Sequence, residues 1–435
     1  MKTLSRPSIA VITLGCSKNT VDSEVLLGQI DANGLRVSVD PGNADILIIN
    51  TCGFIDAAKE ESINTILQAI EQKKNGTTSK VYVAGCLAER YPDELREQLP
   101  EVDRFFGVTD FKNIIEELGG RYKRELLGER FLTEPSHSAY LKISEGCDNP
   151  CSFCAIPLMR GGHISRRIEE IVHEAKFLVE LGTKELVIVG QDTTYYGMDT
   201  YGKRDIARLL SALSDINEIE WIRLMYAYPS HFPLDVLNVM SERDNICSYI
   251  DMPIQHISDP VLKSMRRGIT RRATIDTIEA IRARIPNITL RTTLITGYPN
   301  ETDLDFEILL SFVKETQFDR LGVFTYSVEE RTSAEILGDP VPHHVKEERR
   351  SAIMEAQADI SASKNAAKIG RTVPVLLDRI EGSYAVGRTE ADAPEVDNEI
   401  LVPLSAFPLP PLIGNFYPVT ILQASEFDLI GTIPE

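Results

Sequence analysis

Apolar segments short enough for strands alternate with helical patterns over roughly the first 120 residues of the chain. One helical pattern places apolar side chains at i, i+3, i+4 and i+7, namely Ile63, Ile66, Leu67 and Ile70. An earlier helical pattern stops before Gly34. Alternation of this kind predicts a parallel sheet with right-handed crossovers. The predicted strands are residues 9–14, 46–50 and 81–84.

From residue 140 the alternation continues with longer units, and helical patterns such as 168–181 and 274–284 separate the apolar segments. Six strand–helix units are too few for a closed eight-stranded barrel, so they predict an open (β/α)6 barrel. The predicted strands of this barrel are residues 140–144, 185–190, 221–226, 249–254, 289–296 and 320–326.

The pattern changes again towards the end of the chain. Residues 343–369 predict a charged, amphipathic connector helix. After Gly370, short apolar segments broken by Gly and Pro predict a small antiparallel β-barrel. The chain is therefore predicted to be an α/β protein. Its predicted parts are an N-terminal parallel-sheet α/β domain (1–125), a linker (126–136), a (β/α)6 domain (137–342), a connector helix (343–369) and a C-terminal β-barrel (370–435).

Composition is that of an ordinary globular protein, with 435 residues of which 43% are hydrophobic and 26% charged. No apolar run approaches the roughly 20 residues that span a bilayer, so no membrane segment is expected. The apolar stretch 9–14 leads into Gly15 and Cys16 without the cleavage site of a signal peptide. Seven cysteines, an odd number, suit a disulfide framework poorly. We therefore expect a cytoplasmic location.

Three cysteines lie within eight residues, Cys147, Cys151 and Cys154, with the spacing C-x3-C-x2-C. A closed metal site needs four protein donors, whereas three thiolates on one loop indicate an iron–sulfur cluster with one open iron. Two alternatives remain at this point. One is a zinc site completed by His163, and the other is a plain electron carrier, although the four cysteines per cluster of a ferredoxin are absent.

The other candidate ligands follow the first three predicted strands, where Cys16, Cys52 and Cys86 each come just past a carboxyl end. Open α/β sheets bind ligands at this edge, so the fold brings the three thiols together. They predict a second three-thiolate cluster site. The alternative is that they are three small buried residues at strand ends, because free cysteine is often a core residue.

Several segments in order along the chain resemble the radical S-adenosylmethionine (SAM) methylthiotransferases. They are LGCSKNTVDSE (14–24), NTCGF (50–54), AGC (84–86), SEGC (144–147), IPLMRG (156–161) and DMPIQH (251–256). The resemblance covers nearly the whole chain, including a C-terminal barrel of the TRAM type. Within the family it is greatest to the members that modify a ribosomal protein.

The resemblance implies two [4Fe–4S] clusters, one on Cys147, Cys151 and Cys154 and one on Cys16, Cys52 and Cys86. SAM would bind the open iron of the first cluster and yield a 5′-deoxyadenosyl radical, since no side chain supplies so strong an oxidant. The second cluster would carry or supply sulfur, which another SAM methylates. The implied product is a methylthio group on the β-carbon of an aspartate in a small-subunit ribosomal protein.

Five further residues are candidates for contact with SAM. Arg160 and Arg166 could bind the SAM carboxylate, or be surface charges. Gln191 and Asp192 follow the second barrel strand and are candidates for the methionyl end, and Gly297 lies in a turn suited to close approach of the cofactor. Two other residues are expected to be structural, His256 at a strand end and Cys247 as a buried apolar side chain.

A transfer RNA methylthiotransferase is the main alternative, since it shares the fold, the clusters and the reaction. Charge argues against it, because the chain carries −19 and residues 369–435 contain three basic and ten acidic side chains. Such a barrel would repel RNA and attract a basic protein. We therefore expect a basic ribosomal protein as substrate and no nucleic-acid contact through the C-terminal barrel. The expected electron donor is a flavodoxin or a ferredoxin.

Overall fold

The computed structural model describes residues 7–126, 128–133 and 136–434. The predicted linker 126–136 falls partly outside these ranges, at residues 127, 134 and 135. Residues 1–6, which precede the apolar stretch compared with a signal peptide, also lie outside the described ranges. The same is true of Glu435, one of the ten acidic residues of the C-terminal segment. Within the described ranges, none of the helices combines the length and hydropathy that crossing a bilayer requires.

The N-terminal domain is built on a parallel sheet of five strands in the order β2-β1-β3-β4-β5. All three predicted strands are confirmed, and a two-residue strand is added at each edge, too short to leave an apolar pattern. Apolar side chains cover both faces of the sheet, as expected for parallel strands. The strands are β1 (Ser8–Thr13), β2 (Arg36–Val37), β3 (Ile46–Thr51), β4 (Lys80–Gly85) and β5 (Arg104–Phe105).

Five helices complete this domain. The two predicted ones are confirmed, but Leu67 of the predicted buried face is 44% exposed, while Ile66, Ala69 and Ile70 face the sheet. The helices are α1 (Ser17–Ala32), α2 (Asp56–Lys74), α3 (Cys86–Arg90), α4 (Pro92–Gln98) and α5 (Phe111–Glu117).

The central domain is the predicted open barrel, with six parallel strands in the order β13-β12-β11-β10-β9-β6. A large apolar core lies between these strands and the helices outside them. The strands are β6 (Ser138–Lys142), β9 (Glu185–Val189), β10 (Trp221–Leu224), β11 (Ile246–Asp251), β12 (Thr289–Thr296) and β13 (Arg320–Thr325). The helices are α6 (Ile156–Arg160), α7 (Ile168–Glu180), α8 (Met198–Tyr201), α9 (Ile206–Ser214), α10 (Asp235–Glu242), α11 (Asp259–Ser264), α12 (Arg271–Arg284) and α13 (Asp303–Thr316).

A small antiparallel pair, β7 (Ser144–Glu145) with β8 (Ile164–Ser165), was not predicted. It closes the base of the loop that carries the three clustered cysteines. Gly146 has φ +71°, and a Cβ there would lie 2.0 Å from the carbonyl oxygen of Gly162. A side chain at this position would therefore push the two ends of the loop apart.

The connector helix is present as α14 (His343–Ala366), and a closed five-stranded barrel follows it. Four of its five strand pairings are antiparallel as predicted, while β16 and β18 pair in parallel. The apolar segments predict three strands, at residues 373–377, 383–387 and 418–422, and the structure adds β16 and β18. The strands are β14 (Thr372–Glu381), β15 (Tyr384–Arg388), β16 (Ile400–Pro403), β17 (Phe416–Ala424) and β18 (Leu429–Thr432).

The C-terminal barrel closes the amino-terminal end of the (β/α)6 barrel. Trp221, the first residue of β10, packs edge-on against Phe416 with ring centroids 4.7 Å apart. The buried carboxylate of Glu185 accepts from Arg223 of the (β/α)6 barrel at 2.9 Å and from Arg388 of the C-terminal barrel at 2.7 Å. The loop that carries Cys147, Cys151 and Cys154 follows β6 and β7, at the opposite, carboxyl end of the barrel strands.

Replacing Glu185 by Gln is expected to destabilise the protein by about 3–5 kcal/mol, because two buried arginines lose their shared carboxylate. Although burial alone raises the pKa of Glu185, the charges of Arg388 and Arg223 lower it to about 2. Its contribution is therefore present above the ordinary pKa of 4.5 and is lost as the pH falls from there towards 2. Urea unfolding followed by fluorescence of Trp221, the one tryptophan of the chain, measures the loss.

The matched control is Glu399→Gln, which removes the half-exposed partner of Arg379 in the same C-terminal barrel. An exposed pair of this kind contributes about 0–1 kcal/mol. Equal shifts for the two variants would contradict the role given to the buried network.

Candidate functional site

The loop between β7 and α6 holds Cys147, Cys151 and Cys154 close together. The N–H of Cys147 donates to the carbonyl of Gly161 at 3.1 Å, and that of Cys154 donates to the carbonyl of Cys151 at 3.2 Å. These bonds fold the loop back on itself. As predicted, it follows the first barrel strand and lies at the carboxyl-terminal edge.

Polar side chains contact two of the three sulfurs and are oriented as donors. Asn149 Nδ2 lies 3.4 Å from Cys147 Sγ, and Arg267 Nη1 lies 3.3 Å from Cys151 Sγ. The Arg267 guanidinium is buried and lies over the ring of Tyr228, 4.2 Å from its centroid. Donors of this kind stabilise thiolates rather than thiols. The donor set therefore fits a cluster that binds deprotonated cysteine.

Burial has the opposite effect on the free thiols. It raises the pKa of Cys147 to about 11 and that of Cys154 to about 12. A positively charged metal centre would reverse this, because metal-bound thiols lose their proton. Among the residues described, no three or more Cys, His, Asp or Glu side chains are placed to hold a single metal ion. His163 Nε2 lies 3.0 Å from Ser165 Oγ, and its Nδ1 is buried without a hydrogen-bond partner among the described residues.

The second triplet lies at the carboxyl edge of the N-terminal sheet, where Cys16 follows β1, Cys52 follows β3 and Cys86 begins α3. Burial raises the pKa of Cys86 to about 12, and the neighbouring Cys16 and Cys52 act in the same direction. A Cβ at Gly15, where φ is +92°, would lie 2.8 Å from Cys52 Sγ. The fold thus brings together three cysteines that are 36 and 34 residues apart in the chain.

The two triplets are neighbours across the domain boundary. Cys86 packs in a buried apolar cluster with Val108 of its own domain and with Ala155 and Met159 of the (β/α)6 domain. Ala155 directly follows Cys154, the last cysteine of the other triplet. Helices α3 and α6 therefore place the two sets of thiols on facing surfaces of adjoining domains.

A buried polar network joins the domains beside these helices. Arg160 on α6 donates to Asn19 Oδ1 at 2.6 Å, to Asp22 Oδ2 at 3.0 Å and to Glu145 Oε1 at 2.8 Å. Lys142, at the end of β6, pairs with the same two carboxylates. Two cations and two anions thus balance one another where the domains meet.

A second contact joins the domains behind the Cys52 and Cys86 loops. Arg90, at the end of α3, donates to the Gly53 carbonyl at 2.9 Å and to Glu329 Oε2 at 2.7 Å. Lys59 also reaches Glu329, at 3.2 Å. Because Gly53 follows Cys52, this ion pair couples the position of the second triplet to the (β/α)6 domain.

The three parts of the chain match three family models. Residues 8–107 match the uncharacterized protein family UPF0004, residues 141–313 match the radical SAM superfamily, and residues 369–433 match the TRAM domain.

Full-length relatives decide the family. The ribosomal protein uS12 methylthiotransferase RimO of Cytophaga hutchinsonii is 54% identical over 430 residues, with 98% of each chain covered. The protein of the same name from Chloroherpeton thalassium is 54% identical over 429 residues, covering 98% of this chain and 99% of the relative. The chain belongs to the RimO family. Membership makes it a SAM-dependent radical transferase with [4Fe–4S] clusters as cofactors.

Solved structures agree at the level of the fold. The radical SAM methyltransferase TsrM of Kitasatospora setae, solved with cobalamin and a [4Fe–4S] cluster, superposes with a TM-score of 0.56. The match covers 76% of this chain and 77% of TsrM at 12% sequence identity. The superposition supports the open-barrel fold. At this sequence identity it carries no information about the substrate.

The side chains predicted to contact SAM in this RimO-family chain lie in different surroundings. Arg160 is part of the domain interface described above. Arg166 donates to the Lys142 carbonyl and pairs with Glu174 at 2.6 Å. Gln191 donates to Glu145, and its Oε1 is buried without a partner among the residues that the structure describes.

Asp192 and Gly297 complete the predicted set. Asp192 accepts from Asn149, which also contacts Cys147, so Asp192 belongs to the surroundings of the cluster loop. Gly297 has φ +74°, and a Cβ there would lie 2.3 Å from Cγ of Lys346. Close packing against α14 thus accounts for the glycine.

The two residues expected to be structural are buried. His256 is fully buried, and its Nδ1 accepts from the N–H of Ser258 at 3.0 Å. Cys247 lies in an apolar cluster between the (β/α)6 strands and the C-terminal barrel, which confirms it as a core residue.

Sequence reasoning missed Arg267, Tyr228, Asn149 and Lys18 of the site. Arg267 is 116 residues from the sulfur it contacts, and no spacing rule connects them. Lys18 lies inside a quoted motif, yet only the fold shows its Nζ over the Tyr226 ring, 3.0 Å from the centroid.

Proposed function

We propose that this chain adds a methylthio group to the β-carbon of an aspartate in ribosomal protein uS12. The observation that carries the proposal is the packing of Cys86 against Ala155, which brings the two cysteine triplets to one domain boundary. Relatives named as uS12 methylthiotransferases, 54% identical over nearly the full length, support the substrate. The proposed ligands of the two [4Fe–4S] clusters are Cys147, Cys151 and Cys154, and Cys16, Cys52 and Cys86.

The side chains around the loops have definite parts in this proposal. With the cluster and SAM bound, the site would supply a radical able to remove hydrogen from an unactivated carbon. Arg267 would stabilise the Cys151 thiolate, and Asn149 would orient Cys147 through its bond to Asp192. The positive charge of Arg160 lowers the pKa of Cys86 and would therefore stabilise its thiolate. Direct contact of SAM with Arg160, Arg166, Gln191, Asp192 or Gly297 stays a prediction.

A protein substrate is favoured over transfer RNA by charge, but by less than the sequence count suggested. Asp378, Asp392 and Asp397 have largely buried side chains that pair with arginines, so they do not contribute to an acidic surface. The exposed acidic side chains of the barrel still outnumber the exposed basic ones. The acidic ones are Glu381, Glu395, Glu426 and Asp428, against Arg371 and Arg379. We propose that this barrel makes no nucleic-acid contact.

The proposal extends to the setting of the enzyme. A ribosomal substrate supports a cytoplasmic location, and a flavodoxin or ferredoxin is the proposed electron donor. The proposed domain limits stay at residues 125, 136, 342 and 369, supported by the family-model matches to 8–107, 141–313 and 369–433.

Anaerobically prepared protein, SAM and a reductant, offered uS12 and transfer RNA side by side, test the function. We expect uS12 to gain CH2S by mass and the RNA to remain unchanged. The same uS12 with the target aspartate replaced by alanine is the matched control. A gain on RNA alone would overturn the proposed substrate while leaving the methylthiotransferase family unaffected.

A further inference from the structure

Lys18, at the domain boundary, has no carboxylate partner among the residues that the structure describes. Lys142 and Arg160 are both paired with Asp22 and Glu145. Lys18 is only 7% exposed, yet within the described part of the chain it has no hydrogen-bond or carboxylate partner. Its Nζ lies over the face of the Tyr226 ring, 3.0 Å from the ring centroid.

The ammonium of Lys18 keeps some solvent access despite this burial. The fully buried side-chain nitrogens and oxygens without a partner do not include Lys18 Nζ. A lysine whose stem is buried and whose Nζ is still accessible is available to a ligand. Burial removes part of the hydration of the ammonium, and a cation–π contact replaces only a fraction of what is lost. The difference favours an anion arriving from outside.

The platform beneath Lys18 is rigid. Tyr226 follows β10 at the open end of the barrel and has φ +58°, a conformation that a bulky residue adopts only when its surroundings enforce it. Its N–H donates to Asp251 Oδ2 at 3.1 Å, and its carbonyl accepts from the N–H of Thr193 at 3.1 Å. The backbone that carries the ring is thereby fixed relative to the strands.

Short contacts connect this platform to both triplets. Thr193 adjoins Asp192, which accepts from Asn149, and Asn149 contacts Cys147. On the other domain, Lys18 lies two residues after Cys16, in the first turn of α1. The free ammonium therefore lies between the loops of the two triplets.

We propose that Lys18 binds the side-chain carboxylate of the substrate aspartate, an inference that rests on the proposed function. The reacting β-carbon is bonded directly to that carboxyl group, so a fixed cation on the carboxylate also fixes the carbon. An amide or a nucleobase at the same place would leave the ammonium without a counter-charge. Lys18 is thus a specificity-determining residue for an acidic side chain.

The carboxylate of SAM is the other anion of the same chemical class. It is disfavoured because Lys18 belongs to the N-terminal domain and adjoins Cys16, on the side of the boundary that holds the second triplet. SAM is assigned to the open iron of the opposite loop. The kinetic constants for the two substrates distinguish these sources.

The test compares wild type with Lys18→Met and Lys18→Gln on uS12 carrying its target aspartate or asparagine there. We expect each variant to lower kcat/KM for the aspartate form by about a hundredfold, with little change in binding or turnover of the asparagine form. The KM for SAM, the iron content and 5′-deoxyadenosine formation should remain those of wild type. Lys80→Met is the matched control, since it removes a lysine that contacts Tyr82 on the same domain.

Each result decides between named alternatives. Equal losses on the aspartate and asparagine forms, or full activity of both variants, would overturn the role of Lys18. A raised KM for SAM with an unchanged KM for uS12 would assign Lys18 to the SAM carboxylate instead. If wild type itself fails to modify uS12, the proposed function fails, and that failure is visible before any variant is compared.

Discussion

Replacing Cys147, Cys151 and Cys154 together by alanine is expected to abolish cleavage of SAM. The loop closed by β7 and β8 supplies the sulfurs that Arg267 and Asn149 contact, those of Cys151 and Cys147. Without these thiolates the cluster has no ligands, and no remaining side chain can supply an electron to SAM. The iron content should fall to about four per chain, which corresponds to the second cluster alone. Formation of 5′-deoxyadenosine and iron analysis on anaerobic protein measure both effects.

The matched control for this variant is Cys247→Ala. Cys247 is the cysteine outside both triplets, and it lies in an apolar cluster at the C-terminal barrel. Its replacement should cost about 1 kcal/mol of stability and leave SAM cleavage unchanged. If the triple variant still formed 5′-deoxyadenosine, the assignment of the loop would be wrong.

Much of the site was predictable because it follows strand ends. Parallel strands end at a common edge, so Cys16, Cys52 and Cys86 could be placed together once three strands had been recognised. The same logic placed the loop of Cys147 at the open face of the barrel. The regular alternation of apolar segments therefore predicted both the fold and the positions of the six cysteines at strand ends. That these cysteines bind clusters stays a prediction.

What escaped prediction depends on contacts between distant segments. The contact of Arg160 with Asn19 of the other domain, 141 residues away, leaves no pattern in the sequence. The acidic count of the C-terminal barrel included Asp392, which is buried against Arg320. Strands of two residues such as β7 are too short for a periodic pattern. In each case packing, rather than local sequence, decides the outcome.

Replacing Cys16, Cys52 and Cys86 together by alanine is expected to separate the two halves of the reaction. SAM cleavage should persist, because the loop of Cys147 is held by its own hairpin and by Arg267 of the (β/α)6 domain. Transfer of a methylthio group to uS12 should fall below detection, because the ligands proposed for the sulfur-bearing cluster are gone. Mass analysis of uS12 and assay of 5′-deoxyadenosine on the same samples measure the two activities.

The matched comparison is Glu329→Gln, which keeps all six cysteines but weakens the bond that joins Arg90 to the (β/α)6 domain. Both clusters should load in this variant, since iron content depends on the thiolates and not on Glu329. Methylthio transfer should fall about tenfold to a hundredfold, because a displacement of about 1 Å at the reacting atoms has an effect of that size. SAM cleavage should again persist.

Together the two variants distinguish the presence of the second cluster from its placement. Loss of SAM cleavage in the Cys16, Cys52 and Cys86 variant would mean that these cysteines are needed to form the first site, contrary to the support that the Cys147 loop receives from its own domain. Full methylthio transfer in the Glu329→Gln variant would mean that the Arg90 contact does not control domain docking. The α3–α6 packing of Cys86 against Ala155 and Met159 would then be sufficient to align the two triplets.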